Sequence, residues 1–163
     1  MKRIILLIGV PGSGKTTLAG KIAEKGFTIM NADSIRLELY GDAKEQGDPK
    51  EVFALFFERM EKMMETGTDL IIDNTNLNHK HRIPILERAK KYDYQDVQLW
   101  LLDVPLDVCV QRNSKRERVV DKEIVANMHS ELNRNGRPKR DEGKLVLIRQ
   151  GKDENDYRFF VPN

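Results

Sequence analysis

The stretch Gly9-Val10-Pro11-Gly12-Ser13-Gly14-Lys15-Thr16-Thr17 decides the fold. It follows the apolar run Ile4-Ile5-Leu6-Leu7-Ile8 and precedes a helical pattern. That is the strand, glycine loop, helix order in which a GxxxxGK(S/T) segment cradles a nucleoside triphosphate. Gly9, Gly12 and Gly14, with Ser13 between them, let the backbone curl so that its N–H groups converge on phosphate oxygens. The helix beginning near Lys15 brings its positive dipole end to the same place. Lys15 adds a mobile cation for the β- and γ-phosphates, and the Thr16 hydroxyl is a Mg²⁺ ligand. Thr17 completes the expected nucleotide-binding set, with ATP or another triphosphate as phosphate donor.

Outward from this loop, strand and helix patterns alternate. Strands are expected at about 3–8, 27–31, 69–73, 96–102 and 144–149. Helices are expected at about 15–25, 33–39, 49–65, 78–92, 105–113 and 121–132. Asp48-Pro49 is a good helix start. Val52, Phe56, Met60 and Met63 fall at helical spacing, as do Phe53 and Phe57, and the stripe reads as core. Pro84 either kinks its helix or marks its true start. Asp121 is expected to cap a helix with Ile124, Val125 and Met128 on one face. Alternation of this kind predicts an α/β fold, a parallel sheet flanked by helices. Ligands of such sheets bind beyond the carboxyl ends of the strands, where the phosphate loop, 31–33, 73–76 and Asp103 fall.

The 163 residues suit one well-buried domain. Charged residues are 33% and hydrophobic ones 39%, which fits a soluble globular chain. A net charge of +2 does not by itself point to nucleic acid. The single cysteine, Cys109, excludes an intrachain disulfide, fits a reducing, cytoplasmic compartment and reads as a buried small hydrophobe. No stretch is long and apolar enough to span a membrane. Lys2 and Arg3 ahead of a short apolar run do not make an export signal, because the run continues straight into the phosphate loop.

Three further segments carry chemistry. Phosphoryl transfer needs an acceptor hydroxyl held in line and a group to take its proton. Asp33 and Arg36, three apart, share one face of a short helix, where they can take that proton and grip an anion on the acceptor. The plainer reading makes Asp33 a helix cap and Arg36 a solvated side chain. Asp73, after Leu70-Ile71-Ile72, resembles the acid that holds the Mg²⁺ shell in phosphate-loop proteins. Thr75 and Asn76 suit orientation of an acceptor, although Asn76 or Asn78 could instead cap the next helix. Gln111-Arg112-Asn113-Ser114-Lys115-Arg116-Glu117-Arg118 sets four cations against one acid, where a kinase would carry a lid at about 112–135. A second basic run, 134–140, reads as a loop that either tracks a phosphate backbone or is plain surface.

These segments resemble the kinase module of the bacteriophage-type polynucleotide kinase–phosphatases. The matching stretches are 2–17, 31–36, 71–78 and 102–128, with DVP at 103–105 and RNSKR at 112–116 the most telling. The resemblance implies a P-loop 5′-hydroxyl polynucleotide kinase, which transfers the γ-phosphate of a triphosphate to a 5′-hydroxyl end of DNA or RNA in end repair. It implies Lys15 and Thr16 on the phosphates and Mg²⁺, and Asp33 as general base. Arg36 would bind the phosphate next to the accepting nucleoside. Arg116, supported by Arg112, would be the lid arginine on the donor phosphates, and Asp73 a metal- and acceptor-side acid. Related enzymes also associate, so a homo-oligomer is an expectation.

Two positions depart from the phage pattern. Asp73 stands one residue before the phage acid, and Ala32 replaces a larger basic residue that helps hold the terminal base. There is no DxDGT-like phosphatase motif in the chain, so a stand-alone kinase, or one cut from something larger, is expected. A small-molecule or nucleoside kinase shares the loop and base but needs no phosphate clamp at Arg36. A GTPase switch lacks its NKxD segment, and a non-catalytic nucleotide-binding module leaves Asp33 unexplained.

Overall fold

The chain folds around β1 (Arg3–Ile8), whose residues from Ile4 onward are all buried. The structure, a computed structural model, describes residues 1–116, 119–150 and 156–162. In chain order β1 is followed by α1 (Lys15–Ala23), β2 (Thr28–Met30), α2 (Ala32–Tyr40), α3 (Pro49–Glu65) and β3 (Leu70–Ile72). Then come α4 (His79–Lys91), β4 (Asp96–Leu102), α5 (Leu106–Ser114), α6 (Lys122–Glu131), β5 (Lys144–Gln150) and β6 (Tyr157–Phe160). The strands form one sheet in the order β2-β3-β1-β4-β5-β6, parallel throughout except for antiparallel β6 at one edge.

The continuous apolar character of β1 follows from its central position, because both faces of the strand are covered. Successive side chains point to opposite faces and divide the core in two. Ile5 and Leu7 pack with Leu18 and Ile22 of α1, Cys109 of α5 and Val125 of α6. Ile4 and Leu6 pack on the other side with Ile35 of α2, Phe56 and Met60 of α3, and Ile85 of α4. Phe56 is fully buried and meets Phe57 edge-on at 5.3 Å. Burial of a side chain of this size is worth about 1.5–3 kcal/mol, so Phe56 is a substantial part of what holds α3 to the second layer.

Several expectations need correction. The buried stripe of α3 is Val52, Phe56, Met60 and Met64, so Met64 replaces Met63, which is partly buried beside it. Pro84 lies inside α4 and is not its start; Asn78 is the cap, its Oδ1 accepting from His81 N at 3.0 Å. The segment 134–140 is not a simple loop: a π-helical turn spans Leu132–Gly136 and a 3₁₀ turn spans Arg140–Glu142. Strand β6 was not anticipated, since four residues at a half-exposed edge carry little apolar periodicity. The Asp121 cap is as expected, accepting from Glu123 N at 2.8 Å. Of its helix face only Val125 is buried, while Ile124 is 48% exposed.

Candidate active site

The carboxyl ends of β1, β2 and β3 open into a cleft of about 750 Å³. It is lined by Pro11, Gly12, Gly14, Lys15, Thr16 and Thr17 of the phosphate loop. It also takes in Asp33 and Arg36 of α2, Asp73 and Thr75 after β3, and Arg112 and Arg116 around the end of α5. Gly14 caps α1 at φ +99°, with no side chain closing the helix N-terminus. That leaves the positive end of the helix dipole facing the cleft. Gly12 has φ +85°, and a Cβ there would stand 2.1 Å from the Cys109 carbonyl oxygen, so the loop is seated directly on α5. Gly9 and Ser13 support the loop from beneath and do not line the cleft. Ser13 is buried, and Gly9 N donates to Thr75 O at 3.1 Å.

Lys15 donates from Nζ to Val10 O at 3.1 Å. Burial of its ammonium lowers its pKa to about 8; the Asp73 carboxylate works against that shift and the Arg116 charge adds to it. Thr16 Oγ1 donates to Asp73 Oδ2 at 3.2 Å. Asp73 is buried, and desolvation raises its pKa against the pull of Lys15. Among the described residues no group of three or more His, Cys, Asp or Glu could hold a metal unaided. The Thr16 hydroxyl and the Asp73 carboxylate nonetheless fit a hard cation that brings phosphate and water oxygens as its other ligands. A buried carboxylate with a raised pKa is the group that gains most from such a cation.

On the acceptor side Asn31, not Asp33, caps α2, accepting from Ser34 N at 2.7 Å. Asp33 thus stands in the first turn, where Arg36 Nη1 donates to its Oδ1 at 2.9 Å. The Arg36 side chain is only 14% exposed. Its Nε, and Nη1 of Arg112, are buried with no hydrogen-bond partner among the described residues. A buried guanidinium with an unused donor is a site prepared for an anion.

Asn76 does not belong with the acceptor group. It is buried at φ +50°, its amide donates to Leu7 O at 2.7 Å, and it is absent from the cleft wall. Its neighbour Asn74 accepts from Ala32 N at 2.9 Å and ties the start of α2 to the loop after β3. Two of the four cations of the second basic run are engaged within the protein, although all four residues are exposed. Arg137 Nη2 donates to Asp103 Oδ1 at 2.9 Å, and Arg134 Nη2 to Ser130 Oγ at 3.0 Å. Glu117 and Arg118 of the first run lie outside the described residues.

Sequence reasoning missed several cleft residues. Phe53, read as core, packs partly buried against the core and also lines the cleft, as do Val120, Ile124 and Met128. The sequence pattern groups Ile124 on one face with Val125 and Met128, but adjacent residues lie about 100° apart around a helix, and only Val125 is buried. Gln150, at the end of β5, and Tyr157, which opens β6, line the cleft beside Gly14; β6 has no clear signal in the sequence. Asn113 is buried and brackets the backbone of Val120 with both ends of its amide, closing the turn that carries Lys115 and Arg116. Cys109 is fully buried, and burial pushes its thiol up to about 11, so it is a packing residue.

An AAA domain matches residues 4–134, most of the chain and every strand from β1 to β4. The chain belongs to the AAA domain family. It is 32% identical over 121 residues to a cytidylate kinase of Methanocella arvoryzae, a match spanning 71% of this chain and 64% of the relative. It is 25% identical over 116 residues to a protein of Acanthamoeba polyphaga mimivirus assigned as a bifunctional polynucleotide phosphatase/kinase, spanning 71% of this chain and 24% of that one. The chain therefore spans less than two thirds of either relative. In fold it is similar to a chain of the Pnkp1/Rnl/Hen1 RNA repair complex, with TM-score 0.71 and 22% identity, over 80% of this chain and 44% of that one. The AAA domain seen here is an α/β fold, a mostly parallel sheet of six strands flanked by helices, and it matches that neighbour in fold.

Proposed function

We propose that this domain transfers the γ-phosphate of ATP to the 5′-hydroxyl end of a polynucleotide, DNA or RNA, as a step in end repair. The observation that carries the reading is the Asp33–Arg36 pair, set in the same cleft as Lys15, with the unused Arg36 Nε beside it. An acceptor that suits this pair has a hydroxyl next to a phosphate. The apolar wall of Phe53, Val120 and Ile124 suits the face of a nucleobase better than a sugar, which needs hydrogen-bonding partners all round. The mimivirus relative, assigned as a polynucleotide phosphatase/kinase, supports a polynucleotide acceptor.

The residues divide the work as follows. The Asp33 carboxylate accepts the proton of the attacking hydroxyl, a contribution on the order of 10²–10⁴ in rate. Arg36 grips the phosphate next to the accepting nucleoside and so orients that hydroxyl. Lys15 and Arg116, with Arg112 beside it, face the negative charge of the transferring group; a lid arginine is worth roughly 10³–10⁵. Thr16 and Asp73 would hold Mg²⁺, which in such sites neutralises charge on the β- and γ-oxygens. Residues 1–163 act on this reading as one kinase domain. In the test, Arg36→Ala should raise the KM of a 5′-hydroxyl oligonucleotide by about tenfold to a hundredfold, the value of a charge-assisted contact. ATP affinity should stay nearly unchanged; equal losses on both substrates would remove Arg36 from the acceptor side.

The cytidylate kinase relative favours a second reading, a kinase acting on free nucleotides or other small molecules. On it the same Arg36 would grip the acceptor's phosphate, and an oligonucleotide would be a poor substrate.

A further inference from the structure

Arg82 in α4 is fully buried, and no step of the proposed transfer uses it. Its Nε donates to Glu142 Oε1 at 2.7 Å and its Nη2 to Oε2 at 3.3 Å. Its Nη1 donates to two backbone carbonyls, Asn76 O at 2.9 Å and Gly136 O at 2.8 Å. Asn76 belongs to the loop after β3 that carries Asp73 and Thr75. Gly136 ends the π-helical turn at the foot of α6. The two backbones are in direct contact, since a Cβ on Gly136 would stand 1.8 Å from Leu77 O. Asn78 Nδ2 also donates to Glu131 Oε1 at 3.2 Å. The β3 loop is in turn tied to the phosphate loop through Gly9 N to Thr75 O, and to β1 through the Asn76 amide to Leu7 O.

A buried ion pair is a poor source of stability, because taking both charges out of water offsets most of their attraction. What a guanidinium does supply is a rigid fork of donors able to hold several acceptors in one geometry. A π-turn, meanwhile, is a common feature of functional segments in helices. We propose that Arg82 and Glu142 are positioning residues that lock the foot of the lid to the loop after β3. Arg116 and Asp73 then keep one register about the bound nucleotide. The kinetic consequence rests on the phosphotransfer reading; the locking itself does not.

The test uses the full chain with three variants: R82K, E142Q and the double variant R82M/E142L, which replaces the ion pair by apolar side chains of similar volume. Amide hydrogen exchange is read without any acceptor. The expected result is faster exchange in 74–78 and 132–137 together, with the amides of β1 and β4 unchanged. Turnover with the acceptor should fall by roughly tenfold to a hundredfold, the cost of misplacing reacting groups by up to an ångström, while affinity for an ATP analogue changes little. A double variant that folds and turns over at the normal rate would overturn the proposal. So would faster exchange in only one of the two segments, uniform exchange throughout, or loss of folding in all three variants, each of which makes the pair an ordinary structural element. Absence of oligonucleotide transfer by the unmutated protein would count against the polynucleotide reading alone, because the exchange result stands without it.

Discussion

Nucleotide binding should draw protons from solution above neutral pH, and Lys15 is the reason. Its pKa is lowered to about 8 by burial of the ammonium. Unliganded, it is neutral in about a tenth of molecules at pH 7, in about three quarters at pH 8.5 and in about nine tenths at pH 9. A triphosphate beside Nζ restores the charged form, so each binding event takes up that fraction of a proton. By linkage, affinity should fall about fourfold by pH 8.5 and about tenfold by pH 9, relative to pH 7. Titration calorimetry with a non-hydrolysable ATP analogue, in two buffers of different ionisation heat, reads the uptake directly. Lys15→Arg is the control: a guanidinium does not titrate in this range, and the uptake should vanish. A binding heat at pH 8.5 that is the same in both buffers, or an unchanged uptake in Lys15→Arg, would refute the reasoning. The same lowered pKa has a stability counterpart. Between about 8 and the ordinary 10.5 the unfolded chain holds a proton that the native one lacks, so stability without nucleotide rises with pH across that window. Asp73 has the opposite sign: its raised pKa makes the native state the better proton binder, and stability falls as pH rises through its titration.

Asp33→Asn should keep ATP affinity and lower transfer on the order of 10²-fold or more, measured as labelled product at saturating ATP; near-normal turnover would remove Asp33 as the base. Gly12→Ala should abolish nucleotide binding and lower the melting temperature. It forces a side chain onto a backbone at φ +85° and into the Cys109 carbonyl, so a well-folded variant that binds ATP normally would contradict the observed seating of the loop on α5.

The donor side was legible in the sequence because its chemistry is local. Nine consecutive residues hold loop, cation and hydroxyl in one order, and the apolar β1 before them can only be a buried strand. Asp33 and Arg36 were legible for the same reason, being one helical turn apart. Long-range pairings were not. Asn76 has the same polar side chain whether it faces a ligand or the Leu7 carbonyl, and only the fold chooses the second. Phe53 and Ile124 carry apolar periodicity that suits a core or a cleft wall equally. Nothing local to Arg82 marks it as buried, because its carboxylate partner, Glu142, lies sixty residues later. Strand β6 lies at an edge and pairs only with β5, so tertiary context rather than pattern makes it a strand.

The most direct measurement of the central claim is an acceptor panel with ATP and Mg²⁺: a 5′-hydroxyl oligonucleotide, a nucleoside 3′-monophosphate, a free nucleoside, cytidine 5′-monophosphate and small alcohols. The account predicts transfer to the oligonucleotide and the 3′-monophosphate, both of which place a phosphate beside the accepting nucleoside for Arg36, and little to the others. Transfer to the free nucleoside, the 5′-monophosphate or the alcohols, with none to the oligonucleotide, would contradict it.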